Sequence, residues 1–359
     1  MKTCIHRKKT RSVFIDNVQI GGNAPVVIQS MTCTDTRDVK ATTLQIKQLE
    51  NEGCEVVRVA VPDEEAAASL LHIKHKIKIP LIADIHFHYR LALSAIKNGA
   101  DGIRINPGNI GRSGLLKIIE YAKERQTVIR IGINSGSLEK NLLKKYGGPT
   151  ASALVESALN NLAFFQEAGY DAIKLSVKSS DVITMIEAYR ELSKKTDFPL
   201  HLGVTEAGSL MNAAIKSSVA MGILLHEGIG DTIRVSVTGN PVSEIGVAYG
   251  ILRAMGIRKI GPDIISCPTC GRCEIDLCKL TQEVENKVAG MKEYLKIALM
   301  GCVVNGPGEA AEADIGIAGG RGYGLLFKKG QVIKKVKEKE FAETLLNEIH
   351  SMVAERKET

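Results

Sequence analysis

Asn98-Gly-Ala-Asp-Gly-Ile-Arg-Ile-Asn106 decides the fold, because its layout recurs. A glycine able to end a helix (Gly99) precedes an acid (Asp101), and a cation (Arg104) follows three residues after the acid at the start of a β-rich run. The same turn into a strand is written at Gly53 with Glu55 and Arg58, and at Gly169 with Asp171 and Lys174. It returns at Gly228 or Gly230 with Asp231 and Arg234. Working outward, strand candidates fall at residues 26–29, 55–61, 80–85, 102–106, 128–134, 172–177, 199–204 and 232–237. Helical periodicity fills the gaps, as in Leu154, Ala158, Leu162 and Phe165, and a last such segment covers 243–255. Eight β-then-α units predict a closed (β/α)8 barrel of the TIM type rather than an open sheet.

Strand side chains alternate, so Arg104 shares a face with Asn106, Arg130 with Asn134, Lys174 with Ser176, and Arg234 with Ser236. The other faces are apolar, as in Ile103 and Ile105 or Ile131 and Ile133, and suit a covering of helices. Arg58, Arg104, Arg130, Lys174 and Arg234 therefore point to one barrel mouth, against Asp84 and Glu206. Unpaired buried charge costs several kcal/mol per ion, which a polyanion such as a diphosphate would offset. The competing structural account pairs these cations with the repeated acids. It fails in part because residues three apart on a strand face opposite ways. Asp84 and His86, in Ala83-Asp-Ile-His-Phe87, and Glu206, in Val204-Thr-Glu-Ala207, end the third and seventh strands. Such groups can orient hydroxyls or move protons.

Composition agrees with a globular enzyme of small anions. In 359 residues, 44% are hydrophobic and 24% charged, and no apolar run approaches the ~20 residues of a spanning helix. The basic start Met1–Thr10 lacks the apolar stretch of a secretory signal, so a cytoplasmic location is expected. Net charge +7 suits an acidic partner, while 4% aromatic residues and no Trp argue against a base-stacking nucleic-acid platform.

Past Ile260-Gly-Pro-Asp263 the pattern changes, giving an expected barrel domain over residues 1–262 and a smaller α+β domain over 263–359. The latter reads as a Cys-rich turn, a helix to about Met291, strands at 295–300, 314–318 and 324–336 with a Lys329-Gly330 turn, and a helix over 341–354. Cys267, Cys270, Cys273, Cys278 and Cys302 crowd this tail, whereas Cys4, Cys33 and Cys54 are scattered. In a reducing compartment the crowding indicates metal ligation. Spacing alone selects Cys267, Cys270, Cys273 and Cys302, and suits either tetrahedral zinc or an iron–sulfur cluster.

The motifs Val57-Arg-Val-Ala-Val-Pro62, Ala83-Asp-Ile-His-Phe87, Gly102-Ile-Arg-Ile-Asn-Pro-Gly108, Arg130-Ile-Gly-Ile-Asn-Ser-Gly136, Ile173-Lys-Leu-Ser176, Ser266-Cys-Pro-Thr-Cys-Gly-Arg272 and Asn305-Gly-Pro-Gly-Glu309 resemble the 4-hydroxy-3-methylbut-2-enyl diphosphate synthases of the methylerythritol phosphate pathway, in their two-domain bacterial form. The resemblance implies a [4Fe–4S] cluster held by Cys267, Cys270, Cys302 and Glu309, with Cys273 a departure from the family picture. It implies reductive opening of 2-C-methyl-D-erythritol 2,4-cyclodiphosphate, with Arg58, Arg104, Arg130, Asn134, Lys174 and Ser236 binding substrate. Asn106 and Arg234 join them from the strand pattern. Glu206, Asp84, His86 and Glu309 are the expected catalytic groups. The resemblance also implies a reduced flavodoxin or ferredoxin as donor and a head-to-tail homodimer. Two rivals remain at this point: a non-redox barrel enzyme for a phosphorylated or pterin-type ligand with a zinc tail, and an iron–sulfur carrier or assembly module.

Overall fold

The computed structural model describes residues 5–302, 308 and 312–357. The chain divides into two compact units, Met1–Arg258 and Lys259–Thr359.

The first unit opens with a hairpin of β1 (Val13–Ile15) and β2 (Val18–Ile20) that the sequence reading passes over. Eight parallel strands follow: β3 (Val27–Met31), β4 (Val56–Ala60), β5 (Leu81–Ile85), β6 (Gly102–Ile105), β7 (Val128–Asn134), β8 (Ile173–Lys178), β9 (His201–Leu202) and β10 (Thr232–Ile233). They hydrogen-bond in chain order from β3 to β8, β10 joins β9 to β3, and a bridge from Leu175 to Leu200 closes the ring. The barrel is therefore the TIM type that the repeat predicts. Strands β9 and β10 are only two residues long, against the six expected of each. Beyond them the backbone keeps Arg234 N to Leu202 O at 3.0 Å and Thr205 N to Ser179 O at 3.2 Å, while Gly203 faces the Lys178 ammonium.

The outer ring comprises α1 (Val39–Asn51), α2 (Glu64–Lys74), α3 (Tyr89–Lys97), α4 (Arg112–Arg125), the short α5 (Lys140–Tyr146), α6 (Ala151–Glu167), α7 (Val182–Lys195), α8 (Leu210–His226) and α9 (Val242–Ala254). Asp38, Asp63, Thr150 and Asp181 start four of them by accepting an amide hydrogen of the first turn. Strand faces divide by parity. Val57, Val59, Ile103, Ile105, Ile129 and Ile131 pack outward under the helices. Val27, Val56, Ile82 and Val128 turn inward and meet Val13, Ile15 and Ile20 of the hairpin, which plugs the N-terminal end with an apolar layer.

The repeated acids work at that same end. Glu55 accepts the Ile28 amide, Asp101 the Leu81 amide and Asp231 the Leu200 amide, at 2.8, 2.7 and 2.8 Å. Each binds the backbone of a neighbouring strand, and each takes a cation from outside the repeat: Arg258, Lys74 and Arg7 respectively. Asp171 is the exception, 65% exposed and, among the described residues, paired only to Arg11 at the surface.

In the second unit β11 (Pro262–Ser266), β12 (Leu295–Met300) and β13 (Ile315–Gly320) run parallel, and β14 (Tyr323–Lys328) and β15 (Gln331–Lys337) continue the sheet antiparallel. α10 (Leu277–Val288) and α11 (Phe341–Lys357) bury Leu280, Val284, Leu345 and Ile349 with Ile297, Leu299, Ile317 and Leu326. β11 escapes the sequence reading because only Ile264 and Ile265 in it are apolar. Lys329 and Gly330 both have positive φ, the turn whose twist matches a two-residue hairpin.

Removing a strand-binding acid should cost far more than removing its exposed counterpart. Asp231→Ala is expected to lower unfolding stability by about 3 kcal/mol, because Arg7 and the Leu200 amide lose a buried partner, and Asp171→Ala by under about 1 kcal/mol. Urea titration followed by circular dichroism reads both, and equal losses would refute the division.

Candidate active site

The inward face above the apolar plug is built from cations. Asp84, Arg104, Arg130 and Lys174 occupy one hydrogen-bonded row across β5, β6, β7 and β8. Arg58 is in register with Ile82, one step lower, yet its Nε rises to within 3.7 Å of Asp84 Oδ2. Arg104 Nη1 lies 3.2 Å from the other Asp84 oxygen. Lys178, paired in register with Asn134, adds a fifth buried cation that sequence reasoning missed. Its signal was present: it follows Lys174 and Ser176 at the same parity on one strand.

Space for these long side chains comes from glycines on the same face. A Cβ on Gly132 would lie 2.6 Å from Arg104 Nε, and one on Gly203 would lie 2.8 Å from Lys178 Nζ. Partners are scarce. Among the described residues, Arg104 Nε, Arg130 Nε and Nη1, and Lys174 Nζ are buried without a hydrogen bond, as are both ends of the Gln29 amide and His201 Nε2. His201 Nδ1 meets Thr232 Oγ1 at 2.7 Å. Neither Gln29 nor His201 stands out in the sequence, where a lone Gln or His on a buried strand looks like core.

Charge states follow from this crowding. Burial, then repulsion from Arg130 and Arg58, pushes Lys174 well below the ordinary lysine value. Burial and four neighbouring arginines do the same to Lys178, and burial with Arg58 and Arg104 lowers Arg130. Arg58 is brought down to about 10, chiefly by burial and against the pull of Asp84. Burial alone would raise the Asp84 carboxyl, but Arg58, a hydrogen bond from His86 and Arg104 together hold it well below the usual carboxylate range.

The remaining predicted residues lie around this row. His86 Nε2 stands 3.5 Å from Asp84 Oδ2, with its ring half exposed. Asn134 Oδ1 accepts from Arg104 Nη2 at 3.1 Å in the orientation that satisfies its amide. Asn106 ties its own loop to the turn after β7, accepting the Gly108 amide and donating to Ser137 Oγ at 2.8 Å. Arg234 is held by Glu244, buried on α9, which also takes the Ser30 hydroxyl and the Val237 amide. Ser236 is half-buried. Glu206 is exposed beyond β9 with φ +53°, a left-handed backbone that non-glycine residues rarely adopt.

In the second unit the cysteines gather where parallel strands end. Cys267 directly follows β11 and Cys302 lies two residues past β12. The Gly301 amide donates to Cys267 Sγ at 3.2 Å, and the Cys273 sulfur lies so close to Gly301 that a Cβ there would be 2.4 Å away. Cys273 packs with Leu277 and donates to the Ile275 carbonyl. Hydrogen bonds from Arg272 lower the exposed Cys270 thiol toward thiolate. Glu309 lies outside the described residues.

Residues 10–249 match the GcpE TIM-barrel domain, and residues 263–351 match the GcpE protein C-terminal domain. The chain belongs to the GcpE family. It is 58% identical over 350 residues to the 4-hydroxy-3-methylbut-2-en-1-yl diphosphate synthase (flavodoxin) of Caldanaerobacter subterraneus, covering 97% of this chain and 99% of that one. The Clostridium perfringens protein of the same name is 56% identical, with 97% and 100% covered. Among solved structures, a type I 3-dehydroquinate dehydratase from Clostridium difficile superposes with TM-score 0.52 at 15% identity, covering 68% of this chain and 98% of that one. Yersinia pestis dihydropteroate synthase gives 0.51 at 11%, covering 69% and 100%. Those two likenesses show the barrel alone, whereas the GcpE matches extend through the cysteine-bearing unit.

An anion entering the cationic row should restore protons to Lys174 and Lys178. Their values in the free protein lie below the ordinary ~10.4, so binding takes up protons and affinity rises as pH falls through that range. Calorimetry of inorganic pyrophosphate binding at pH 8 in two buffers of different ionisation enthalpy should show net uptake, reduced in Lys174→Ala. Zero uptake would mean that both lysines are already charged when the site is free.

Proposed function

We propose that this chain carries out the reaction named for its GcpE relatives: reductive ring opening of 2-C-methyl-D-erythritol 2,4-cyclodiphosphate to (E)-4-hydroxy-3-methylbut-2-enyl diphosphate, an isoprenoid precursor. The change consumes two electrons and two protons and releases one water. The observation that carries this reading is the buried row Arg104, Arg130 and Lys174, with unpartnered donors aimed into the barrel, in a chain that also gathers cysteines at strand ends.

The barrel cations hold the diphosphate and stabilise the charge that grows on the phosphate oxygen as it leaves carbon. Fixed donors do this without reorganising during the reaction. Asp84 is a poor proton carrier, being held ionised by Arg58 and Arg104. Its role is to orient those two arginines and His86. His86, beside Asp84, and Glu206, exposed past β9, are our candidates to hold or move protons when water departs. Arg234, tied to Glu244, positions the mouth and contacts Met31.

The donor chemistry of the cysteines suits a thiolate-bound cluster, although among the described residues no three such side chains stand together as a metal site. One sulfur accepts a backbone amide, another has its thiol lowered by arginine, and all sit on turns at the ends of parallel strands. Cys267, Cys270 and Cys302, with Glu309, would hold a [4Fe–4S] cluster, which when bound would provide one-electron redox chemistry. A flavodoxin, as in the relatives' names, is the donor. A pterin-type alternative rests on likeness of barrel shape at 11% identity and lacks this support.

Anaerobically reconstituted protein should be brown, contain iron and sulfide, and consume the cyclodiphosphate with reduced methyl viologen. Arg130→Met should lower kcat/KM by about 10²–10³, while Cys302→Ala should lose iron. A colourless, zinc-loaded protein would sink the proposal.

We also propose that the working unit is a homodimer, supported by α8. Met211, Ile215, Val219 and Ile223 form an exposed stripe at every fourth position, with Met211 70% exposed, and Ser218 and Gly222 lie beside it as small positions. Large and small residues on one uncharged helix face suit self-pairing, since a second copy brings no like-charge repulsion. Ile215→Asp should shift the mass measured by light scattering from dimer to monomer, and an unchanged mass would rule out this face. No helix among the described residues is long and apolar enough to cross a membrane.

A further inference from the structure

The second unit concentrates exposed positive charge at one side of its sheet. In strand order β15 is the edge, and residues 331–335 and 337 are exposed, including Lys334, Lys335 and Lys337, with Lys329 and Lys339 flanking them. Apolar side chains share the edge, Val332 at 55% exposed and Ile333 at 44%. The charge turns the corner of the sheet. Lys337 pairs in register with Tyr323 and the Lys335 ammonium lies 3.5 Å from the centre of the Tyr323 ring. Arg321, 89% exposed, begins the β13–β14 turn. Arg272, between Cys270 and Cys273, is exposed as well, and Glu274 offsets part of the charge by pairing with Arg321 at 3.3 Å.

Position makes this more than a solvated strand. β15 runs antiparallel to β14, which runs antiparallel to β13, so the Lys335–Lys337 end of β15 lies at the same end of the sheet as Cys267 and Cys302. Three strand spacings separate β12 from β15, roughly 14 Å. Lysines on an edge strand also block edge-to-edge aggregation. That purpose accounts for Lys334 and Lys335, but not for Arg321 and Arg272, which lie off the edge on turns nearest the cysteines.

We propose that the face formed by Tyr323, Lys335, Lys337, Arg321 and Arg272 docks an acidic, flavin-carrying electron donor. The inference rests on the redox reading of the cysteines given above. Exposed cations steer an acidic partner and set its association rate, with strong salt dependence. Tyr323, 40% exposed, supplies apolar contact. The donor is thereby brought to the thiolate end of the sheet, where electrons have the shortest route inward.

The test uses the reconstituted holoenzyme and two reductants, reduced bacterial flavodoxin and reduced methyl viologen. Lys335→Glu/Lys337→Glu should lower kcat/KM for flavodoxin at least tenfold at low ionic strength and flatten its salt dependence, leaving viologen-driven turnover unchanged. A control carrying Lys194→Glu/Lys195→Glu, on α7 of the barrel, should change neither. Equal loss with both reductants would overturn the proposal in favour of a structural role, and unchanged flavodoxin kinetics would place docking elsewhere. A shift in oligomeric mass in the double variant would assign the edge to contact between copies instead. Absence of viologen-driven turnover in the unsubstituted protein is a separate result and would strike the redox reading itself.

Discussion

Charge imbalance inside the barrel is the constraint around which the first unit is organised. Among the described residues, Arg58, Arg104, Arg130, Lys174 and Lys178 are buried there, and Asp84 is the one buried carboxylate that faces them. The other two buried acids are occupied elsewhere, Glu244 by Arg234 and Asp231 by Arg7. Taking an ion out of water costs several kcal/mol even after relaxation. A fold that keeps such a row must recover the cost from the rest of its core, or from a ligand. The apolar layer of the N-terminal hairpin and the aliphatic packing under the helices are the recovery available without one.

The fourfold repeat shows how that arrangement is kept from neutralising itself. An acid three residues before a cation would collapse onto it in a helix, where such positions are neighbours. On a strand the two face opposite ways, so Glu55, Asp101 and Asp231 bind the amides of adjacent strands at the bottom while Arg58 and Arg104 are free to rise. Closure of the barrel and charging of its interior are thus written by the same tetrapeptide. The glycines at 132 and 203 complete the separation by leaving room for side chains that would otherwise be pushed out of the row.

How much of this was legible follows from where the information is held. Periodicity and the Gly–acid–cation repeat located all eight strands, because both are local signals. The hairpin Val13–Ile20 was not found, since its three-residue strands become strands only by packing on Val27, Val56, Ile82 and Val128. Glu244 was missed for a related reason: on a helix it looks like any exposed acid, and only the fold turns it toward Ser30 and Arg234. Lys178 was within reach of the strand parity that identified Lys174. The cysteines stand out by spacing, but spacing does not rank them, since Cys273 packs against Gly301, the neighbour of Cys302.

The two units use cations of the same kind for opposite ends, and the surrounding medium decides which. Inside the barrel, with little water to screen them, charges act over short range and strongly. Lysine values fall, donors lack partners, and the resulting selectivity is for a small, dense anion that fits among fixed side chains. Along β15 the lysines are exposed to water, so each contact is worth little, but their summed field reaches about a Debye length, ~10 Å at 0.1 M salt, and can orient a whole protein. Moving a barrel lysine to the surface would lose the first property without adding to the second, since one more exposed charge among many changes the field slightly. Burial, rather than charge alone, is therefore what distinguishes a residue that grips substrate from one that guides a partner.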